Sequence, residues 1–259
     1  MSDRHPNWWV RQWHSFSAAL VFYTCLPVPA SWTLDFSGMA KFAPIVGIAV
    51  GILLGSIDAL LTIAGAPSLT ASAAVVVAAI ALTGGLHLDG AIDLADGLAV
   101  LDPQRRLEVM RDSVAGAFGV MAAVAIVVLK VAALADLSGD RAFALMAAAG
   151  WGRWGQVVAI VRYPYLRTQG KGSLHQTHKA PRELLPGAIA LVALSLAHLN
   201  AHPDRWQMGV GALVFGAVFA IGTGAWIARK LGGHTGDTYG AIVEWTEALL
   251  LVTLSIVEG

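Results

Sequence analysis

Residues 206–228 read WQMGVGALVFGAVFAIGTGAWIA and contain no Asp, Glu, Lys or Arg. A helix crosses the hydrocarbon core of a bilayer with about 20 apolar residues, so this stretch predicts a membrane-spanning helix. A second uncharged run covers residues 59–88 and is interrupted at 65–68 by Gly-Ala-Pro-Ser, a turn signal between two helices. Of all 259 residues, 56% are hydrophobic and only 13% are charged, whereas soluble domains have about 25% charged residues. The sequence therefore predicts an all-α, polytopic integral membrane helical bundle.

About seven spans are expected, in a single membrane-embedded catalytic domain over residues 1–259. They cover residues 42–64, 70–86, 114–135, 142–161, 184–199, 207–228 and 241–257. Trp8, Trp9 and Trp13 precede a short apolar stretch, which predicts an N-terminal interfacial or re-entrant helix because tryptophan favours the membrane interface. If that segment crosses the bilayer, the count rises to eight. A large soluble helical protein is the alternative, and apolar runs of this length argue against it.

Basic residues are distributed unequally between the two sides that these spans define. The side that holds the N-terminal segment has 13 Lys and Arg residues, whereas the other side has only Arg141 and Arg205. By the positive-inside rule, the first side faces the cytoplasm. Lys+Arg and Asp+Glu are both 17, so no net charge points to a nucleic-acid partner, and the single cysteine, Cys25, excludes an intrachain disulfide. The expected surroundings are a lipid bilayer.

An acidic segment closes the second expected span, where residues 84–97 read GGLHLDGAIDLADG. Asp89, Asp93 and Asp96 are spaced i, i+4 and i+7, so on a helix they share one face. Their mutual repulsion and desolvation would be relieved by a divalent cation, and oxygen ligands favour Mg²⁺. The alternatives are a solvated acidic helix end or an N-capping cluster, and for His87 a simple hydrogen bond at a helix end.

Two further segments on the same side contain candidate functional residues. Residues 105–113, RRLEVMRDS, offer arginines suited to phosphate oxygens, and the Asp and Ser at their end are candidate caps of the third span. Residues 234–240, HTGDTYG, contain Asp237 and are followed by Glu244 and Glu247. Two acidic segments on one side predict a shared metal–phosphate pocket, which suits phospho-group transfer, and a cation-transport route is the competing hypothesis. A P-loop is missing from the sequence, as is a Gly-x-Ser-x-Gly elbow.

These motifs resemble the cobalamin synthase family, the adenosylcobinamide-GDP ribazoletransferases. The matching stretches are FYTCLPVP at 22–29, FAPIVG at 42–47, the 84–97 segment, MRDS at 110–113 with Gly116 and Gly119, and TGDT at 235–238 with Gly240, Glu244 and Glu247. The resemblance implies a multi-pass enzyme of the bacterial inner membrane, active towards the cytoplasm, that uses Mg²⁺. Its substrates would be adenosylcobinamide-GDP and α-ribazole or α-ribazole 5′-phosphate. The hydroxyl or phosphate of the ribazole would attack the corrinoid-proximal phosphate, GMP would leave, and adenosylcobalamin or its 5′-phosphate would form.

On this resemblance we assign expected roles to the candidate residues. The expected metal ligands are Asp89, Asp93 and Asp96. The catalytic set, which completes the metal shell or acts as base, is Asp93, Asp112, Asp237 and Glu244. The substrate-binding set is His87, Arg105, Arg111, Ser113 and Thr235. A homo-oligomer is allowed, and a CDP-alcohol phosphotransferase-like membrane enzyme is the alternative, although the segment after Asp89-Gly90 lacks the arginine of that class.

Overall fold

The computed structural model describes residues 7–112, 114–167 and 180–259. Over these ranges the chain folds into ten α-helices without a β-strand, which confirms the all-α prediction. The helices are α1 (Trp8–Tyr23), α2 (Ala43–Ile63), α3 (Ser68–Leu82), α4 (Leu86–Ala99), α5 (Pro103–Val109), α6 (Ala117–Asp136), α7 (Arg141–Arg162), α8 (Leu185–Ala201), α9 (Trp206–Leu231) and α10 (Gly236–Glu258). Single 3₁₀ turns lead into α2, α8 and α9.

Five of the described helical segments are long and apolar enough to cross a membrane, and a bent pair brings the number to six. They are Met39–Ile63, Ala117–Asp136, Pro181–Ala201, Pro203–Leu231 and Gly236–Glu258, with α3 and α4 as the bent pair. The protein is therefore a multi-pass membrane protein, and the expected count of seven is approximate. Helix α7 has 22 residues but contains Arg153 and Gln156, which make it less apolar than the other long helices.

The second expected span, over residues 70–86, is broken in the structure. Helix α3 ends at Leu82, and α4 leaves at 90° to it. Gly84 (φ 60°) and Gly85 (φ 70°) both adopt the left-handed conformation, which only glycine accepts readily, so the chain turns here. The bend gives the acidic residues a separate helix instead of the end of a span.

A row of glycines sets the packing of α2 against α7. Gly47, Gly51 and Gly55 are spaced by four residues and face α7 so closely that an added Cβ would overlap its atoms. Small residues at this spacing allow two membrane helices to approach until their backbones touch. Helix α7 is consequently central, and most of its residues are buried between α2, α9 and α10.

Helix α1 covers the segment for which an interfacial or re-entrant helix was expected. Its 16 residues make a helix of about 24 Å, shorter than the bilayer core of about 30 Å. Ala18, Ala19 and Tyr23 are buried against the bundle, whereas Trp8 and Trp9 are exposed.

Candidate active site

The acidic face of α4 is held against the beginning of α10. Gly90 of α4 lies on the backbone of Asp237, where a larger side chain would overlap it. Gly240 of α10 lies on the backbone of His87, and an added Cβ would stand 2.8 Å from the His87 carbonyl oxygen. Because both contacts need glycine, the two acidic segments that are distant in sequence meet at one crossing of two helices.

An acidic cavity of about 380 Å³ opens at this crossing. Its walls include Asp89 and Asp93 of α4 and Asp237 of α10, together with Arg111, Asp112 and Arg167. Within the described ranges, no three carboxylates of this cavity bring oxygen atoms within 4.8 Å of one another. A cation held here by all three would therefore need side-chain rotations or bridging oxygens from a ligand. The donor set, carboxylate oxygens without cysteine, fits Mg²⁺.

Arg167 is a residue of this cavity that the sequence analysis did not single out. Its Nη2 lies 2.8 Å from Asp237 Oδ2 and donates to the carbonyl oxygen of Met110 at 3.1 Å. The segment before it is fixed to the connection between α9 and α10, because Leu166 N donates to His234 O and His234 N donates to Pro164 O. In the sequence Arg167 is one of several basic residues after α7, and no motif distinguishes it.

His234 is a buried support of this arrangement. Its Nδ1 lies 3.0 Å from the hydroxyl of Thr238, which belongs to the cap of α10. Burial lowers the pKa of His234 to about 4, so the imidazole is neutral at neutral pH. The ring therefore adds no charge to this arrangement and acts through its contact with Thr238.

An aromatic cavity of about 290 Å³ adjoins the acidic cavity. The two share Asp89, Asp237 and Arg167. The remaining walls of the aromatic cavity are mostly rings and small residues, including Phe22, Tyr23, His87, Tyr165 and Tyr239. The stacked rings of Tyr165 and Tyr239 have centroids 6.2 Å apart, and Gln156 Nε2 donates to the Tyr23 hydroxyl at 2.9 Å. A flat aromatic group fits walls of this kind, with its polar substituents at the charged rim.

Asp96, the third residue of the expected metal set, caps a helix. Its carboxylate oxygens accept hydrogen bonds from Gly116 N (2.7 Å) and Gly119 N (2.8 Å) at the start of α6. Asp96 does not line the acidic cavity. The N-capping alternative thus describes this one aspartate, whereas Asp89 and Asp93 face the cavity.

Glu244 lies away from the acidic cavity, inside the bundle. Lys130 Nζ contacts Glu244 Oε2 at 2.7 Å and Glu247 Oε2 at 2.6 Å. Arg153 Nη1 contacts the other oxygen of Glu247 at 2.9 Å. Two buried cations are thereby balanced by two carboxylates, and His87 borders both this cluster and the aromatic cavity.

The remaining predicted residues occupy three kinds of position. Arg111 and Asp112 are exposed and line the acidic cavity, and Asp112 Oδ1 accepts a hydrogen bond from Val114 N at 3.3 Å. Arg105 is exposed on α5 and lines neither cavity. The Thr235 hydroxyl forms a capping box with Thr238 and donates to Asp237 Oδ2 at 3.3 Å. Ser113 lies outside the described residues.

Comparisons with known proteins agree with the family resemblance that these motifs indicate. The model of the family described as cobalamin-5-phosphate synthase matches residues 15–255. A relative from Synechococcus sp., named adenosylcobinamide-GDP ribazoletransferase, is 52% identical over 249 residues, which cover 95% of this chain and 98% of the relative. Relatives of the same name from Trichormus variabilis (51% identity, 92% of this chain and 95% of the relative) and Synechocystis sp. (45%, 97% and 100%) agree.

No solved structure matches the chain significantly. The family model and the relatives nevertheless cover nearly the whole sequence, including both acidic segments. The chain belongs to the cobalamin-5-phosphate synthase family.

Proposed function

We propose that this protein joins α-ribazole, or α-ribazole 5′-phosphate, to adenosylcobinamide-GDP and releases GMP, in a reaction that depends on Mg²⁺. The products are adenosylcobalamin or its 5′-phosphate. The observation that carries the proposal is the meeting of Asp89, Asp93, Asp237 and Arg167 in one cavity beside an aromatic cavity. The names of the relatives, which align over almost their full length, supply the substrates.

The acidic cavity is the place for the diphosphate. Asp89, Asp93 and Asp237 are the residues that would hold Mg²⁺, which supplies neutralisation of the diphosphate charge. Arg167 and Arg111 are placed to hold phosphate oxygens with planar donors. A carboxylate of the same cavity then accepts the proton of the attacking hydroxyl. The new bond joins that oxygen to the corrinoid-proximal phosphorus, the bond to the GMP oxygen breaks, and GMP leaves.

The aromatic cavity suits the benzimidazole base of the ribazole. Stacking between Tyr165, Tyr239 and the flat base would orient the ribose towards the shared rim at Asp89 and Asp237. With the base in the aromatic cavity and the diphosphate in the acidic cavity, the attacking hydroxyl of the ribose would lie beside the phosphate. Removing the ring in Tyr165→Ala would then raise the KM for α-ribazole more than the KM for adenosylcobinamide-GDP.

We place the acidic cavity on the cytoplasmic face of a bacterial inner membrane. The cavity lies at the end of the bundle that holds Arg105, Arg106 and Arg111, among the 13 basic residues counted on that side. The positive-inside rule assigns such an end to the cytoplasm. Soluble nucleotide substrates would thereby reach the site without crossing the bilayer.

The direct test is GMP release from adenosylcobinamide-GDP and α-ribazole by the full-length protein in liposomes, with and without Mg²⁺. The proposal expects stoichiometric GMP and corrinoid product that stop when Mg²⁺ is chelated and return when it is restored. Product formation unaffected by chelation would remove the metal from the proposal, and no product at all would remove the reaction. A matched assay with a CDP-alcohol donor tests the alternative enzyme class.

A further inference from the structure

A second cluster of ligand-type side chains lies at the end of the bundle opposite the acidic cavity. Helix α7 separates the two, because its 22 residues extend about 33 Å from the Asp140 end to the Arg167 end. Within residues 7–112, 114–167 and 180–259, only one group of three His, Cys, Asp or Glu residues brings its ligand atoms within 4.8 Å of one another. That group is Asp140, His198 and His202.

The two histidines are arranged as a chelating pair. His198 is on the last turn of α8 and His202 follows that helix by one position, so they are spaced i, i+4. Their ring centroids are 5.2 Å apart, and the ring of Phe143 stacks on His198 at 4.0 Å and fixes its plane. Histidines spaced i, i+4 on a helix are typical metal ligands. His202 is the C-cap residue of α8, and its ligand atom still lies within 4.8 Å of that of His198.

An unsatisfied polar atom points into this cluster. His198 is only 7% exposed, and its Nε2 has no hydrogen-bond partner among the described residues. The atom lies 3.7 Å from Asp140 Oδ2, which is too long for a hydrogen bond. Two ligands that share a tetrahedral metal ion at about 2.1 Å are about 3.4 Å apart, so this separation is close to what a bridging ion requires.

The backbone around Asp140 is held in an uncommon conformation that presents its carboxylate to the histidines. Asp140 has φ 44°, the only left-handed residue other than glycine in the described part of the chain. The turn before it is fixed by Glu258, whose carboxylate accepts hydrogen bonds from Ser138 N (3.0 Å) and Gly139 N (2.8 Å). Asp140 of the α6–α7 turn and the two histidines at the end of α8 thus bring their ligand atoms together.

One cation, Arg205, also faces the cluster. Its Nη1 is 3.4 Å from Asp140 Oδ2 and equally far from Glu258 Oε1. The side chain is 43% exposed and has Glu258 as a second partner, so it is able to leave Asp140 without becoming unpaired. A metal ion would therefore replace a long ion pair whose arginine is partly exposed, and it would give the buried His198 Nε2 a partner.

We propose that Asp140, His198 and His202 form a binding site for a transition-metal dication of the Zn²⁺ class on this opposite face. Two imidazole nitrogens and one carboxylate oxygen favour zinc over the hard cations Mg²⁺ and Ca²⁺. The exposed His202 provides the entry path, and water completes the shell. The ion joins the α6–α7 turn to the end of α8, and the proposal is independent of the ribazoletransferase reaction.

The test is zinc binding to the purified full-length protein, with any affinity tag removed and Mg²⁺ in excess to occupy hard-cation sites. The measurement is competition with a chromophoric chelator, together with the visible spectrum of the Co²⁺ form. We expect one zinc ion that depends on His202, with an affinity at least about tenfold weaker in His202→Ala. Zn²⁺ should also raise the Tm of the wild type and not that of His202→Ala.

Two matched variants separate this site from other ligands. Asp204→Ala changes an exposed carboxylate two residues further on, and Cys25→Ser removes the free thiol. Both are expected to bind zinc as the wild type does. Equal zinc binding by wild type and His202→Ala, or loss of binding in Cys25→Ser instead, would overturn the proposal. Asp140→Asn, which keeps the shape of the side chain, should weaken zinc binding in the same direction as His202→Ala.

Discussion

The guanidinium of Arg167 lies 2.8 Å from the carboxylate of Asp237, although helices α8 and α9 separate the two residues in the chain. This ion pair places a positive charge on the rim shared by the acidic and aromatic cavities. The cavity therefore offers carboxylates for a cation and a planar donor group for phosphate oxygens side by side. A metal-bound diphosphate needs both.

Removing this donor should impair the reaction strongly. We expect Arg167→Ala to lower kcat by about 100-fold, the usual effect of losing one donor to transition-state charge. Arg167→Lys should recover only part of the rate, because an ammonium keeps the charge and loses the planar pair of donors. The measurement is steady-state GMP release. The exposed Arg162, at the end of α7, provides the control Arg162→Ala, and a similar loss in that variant would contradict a specific role for Arg167.

Asp93 and Asp96 should behave differently, although the sequence groups them. Asp93→Asn should lower GMP release by at least about 100-fold, because it removes a carboxylate of the acidic cavity. It should not lower Tm, because it also reduces the repulsion between Asp93 and the neighbouring carboxylates. Asp96→Ala should destabilise the fold by about 2 kcal/mol, because two N–H groups at the start of α6 lose a charged acceptor. The measurements are the Tm and the rate of GMP release of both variants, with Asp136→Asn, a change of an exposed carboxylate, as control. Loss of turnover without loss of stability in Asp96→Ala would contradict the capping role and indicate that Asp96 is a metal ligand.

The buried ion cluster should depend on charge balance. Lys130→Met removes the cation that contacts Glu244 and leaves Glu247 with Arg153. Losing one member of a buried ion pair costs about 3–5 kcal/mol. The double variant Lys130→Met/Glu244→Gln removes one charge of each sign and should regain most of that stability. The measurement is the Tm and the yield of monodisperse protein in detergent. A double variant as unstable as the single one would show that packing, and not charge, is responsible.

His234 should make the fold sensitive to acid. Burial lowers its pKa in the folded protein from 6.5 to about 4, so below pH 6.5 the unfolded chain binds a proton that the folded chain does not. The free energy of unfolding therefore keeps its full value above pH 6.5 and falls progressively down to about pH 4, by about 3 kcal/mol in total. His234→Asn keeps a polar atom near the Nδ1 position and should show a smaller fall in Tm over that pH range. Equal falls in wild type and variant would exclude His234 as the cause.

Much of this architecture could be predicted from the sequence because it depends on local composition. Apolar runs predict the membrane helices, and the i, i+4, i+7 spacing places Asp89, Asp93 and Asp96 on one helix face. The hydrogen-bond and ion-pair partners of these side chains could not be predicted in the same way. Nothing near Asp96 in sequence indicates that Gly116 N and Gly119 N donate to its carboxylate, because this contact depends on where α6 lies in the folded protein.

The same limit applies to Glu244 and Arg167. The sequence places Glu244 near the acidic segment, but the helical rotation of α10 turns it towards Lys130, far along the chain. Arg167 reaches Asp237 only because the chain before it pairs with residues just before α10. In both cases the decisive information is the arrangement of helices around α7 and α10, which composition and spacing do not encode.

Arg153 lies near the middle of α7, and its carboxylate partner, Glu247, belongs to α10. During synthesis, α7 therefore leaves the ribosome with a charge whose counter-ion has not yet been made. Helix α2 and its glycines are already in place to receive it, but they supply no carboxylate at Arg153. We expect α7 to settle in the bilayer only after α10 emerges. Chains that stop before α10 would then hold Arg153 without Glu247, and α7 would pack against α2 without a counter-ion for its buried charge.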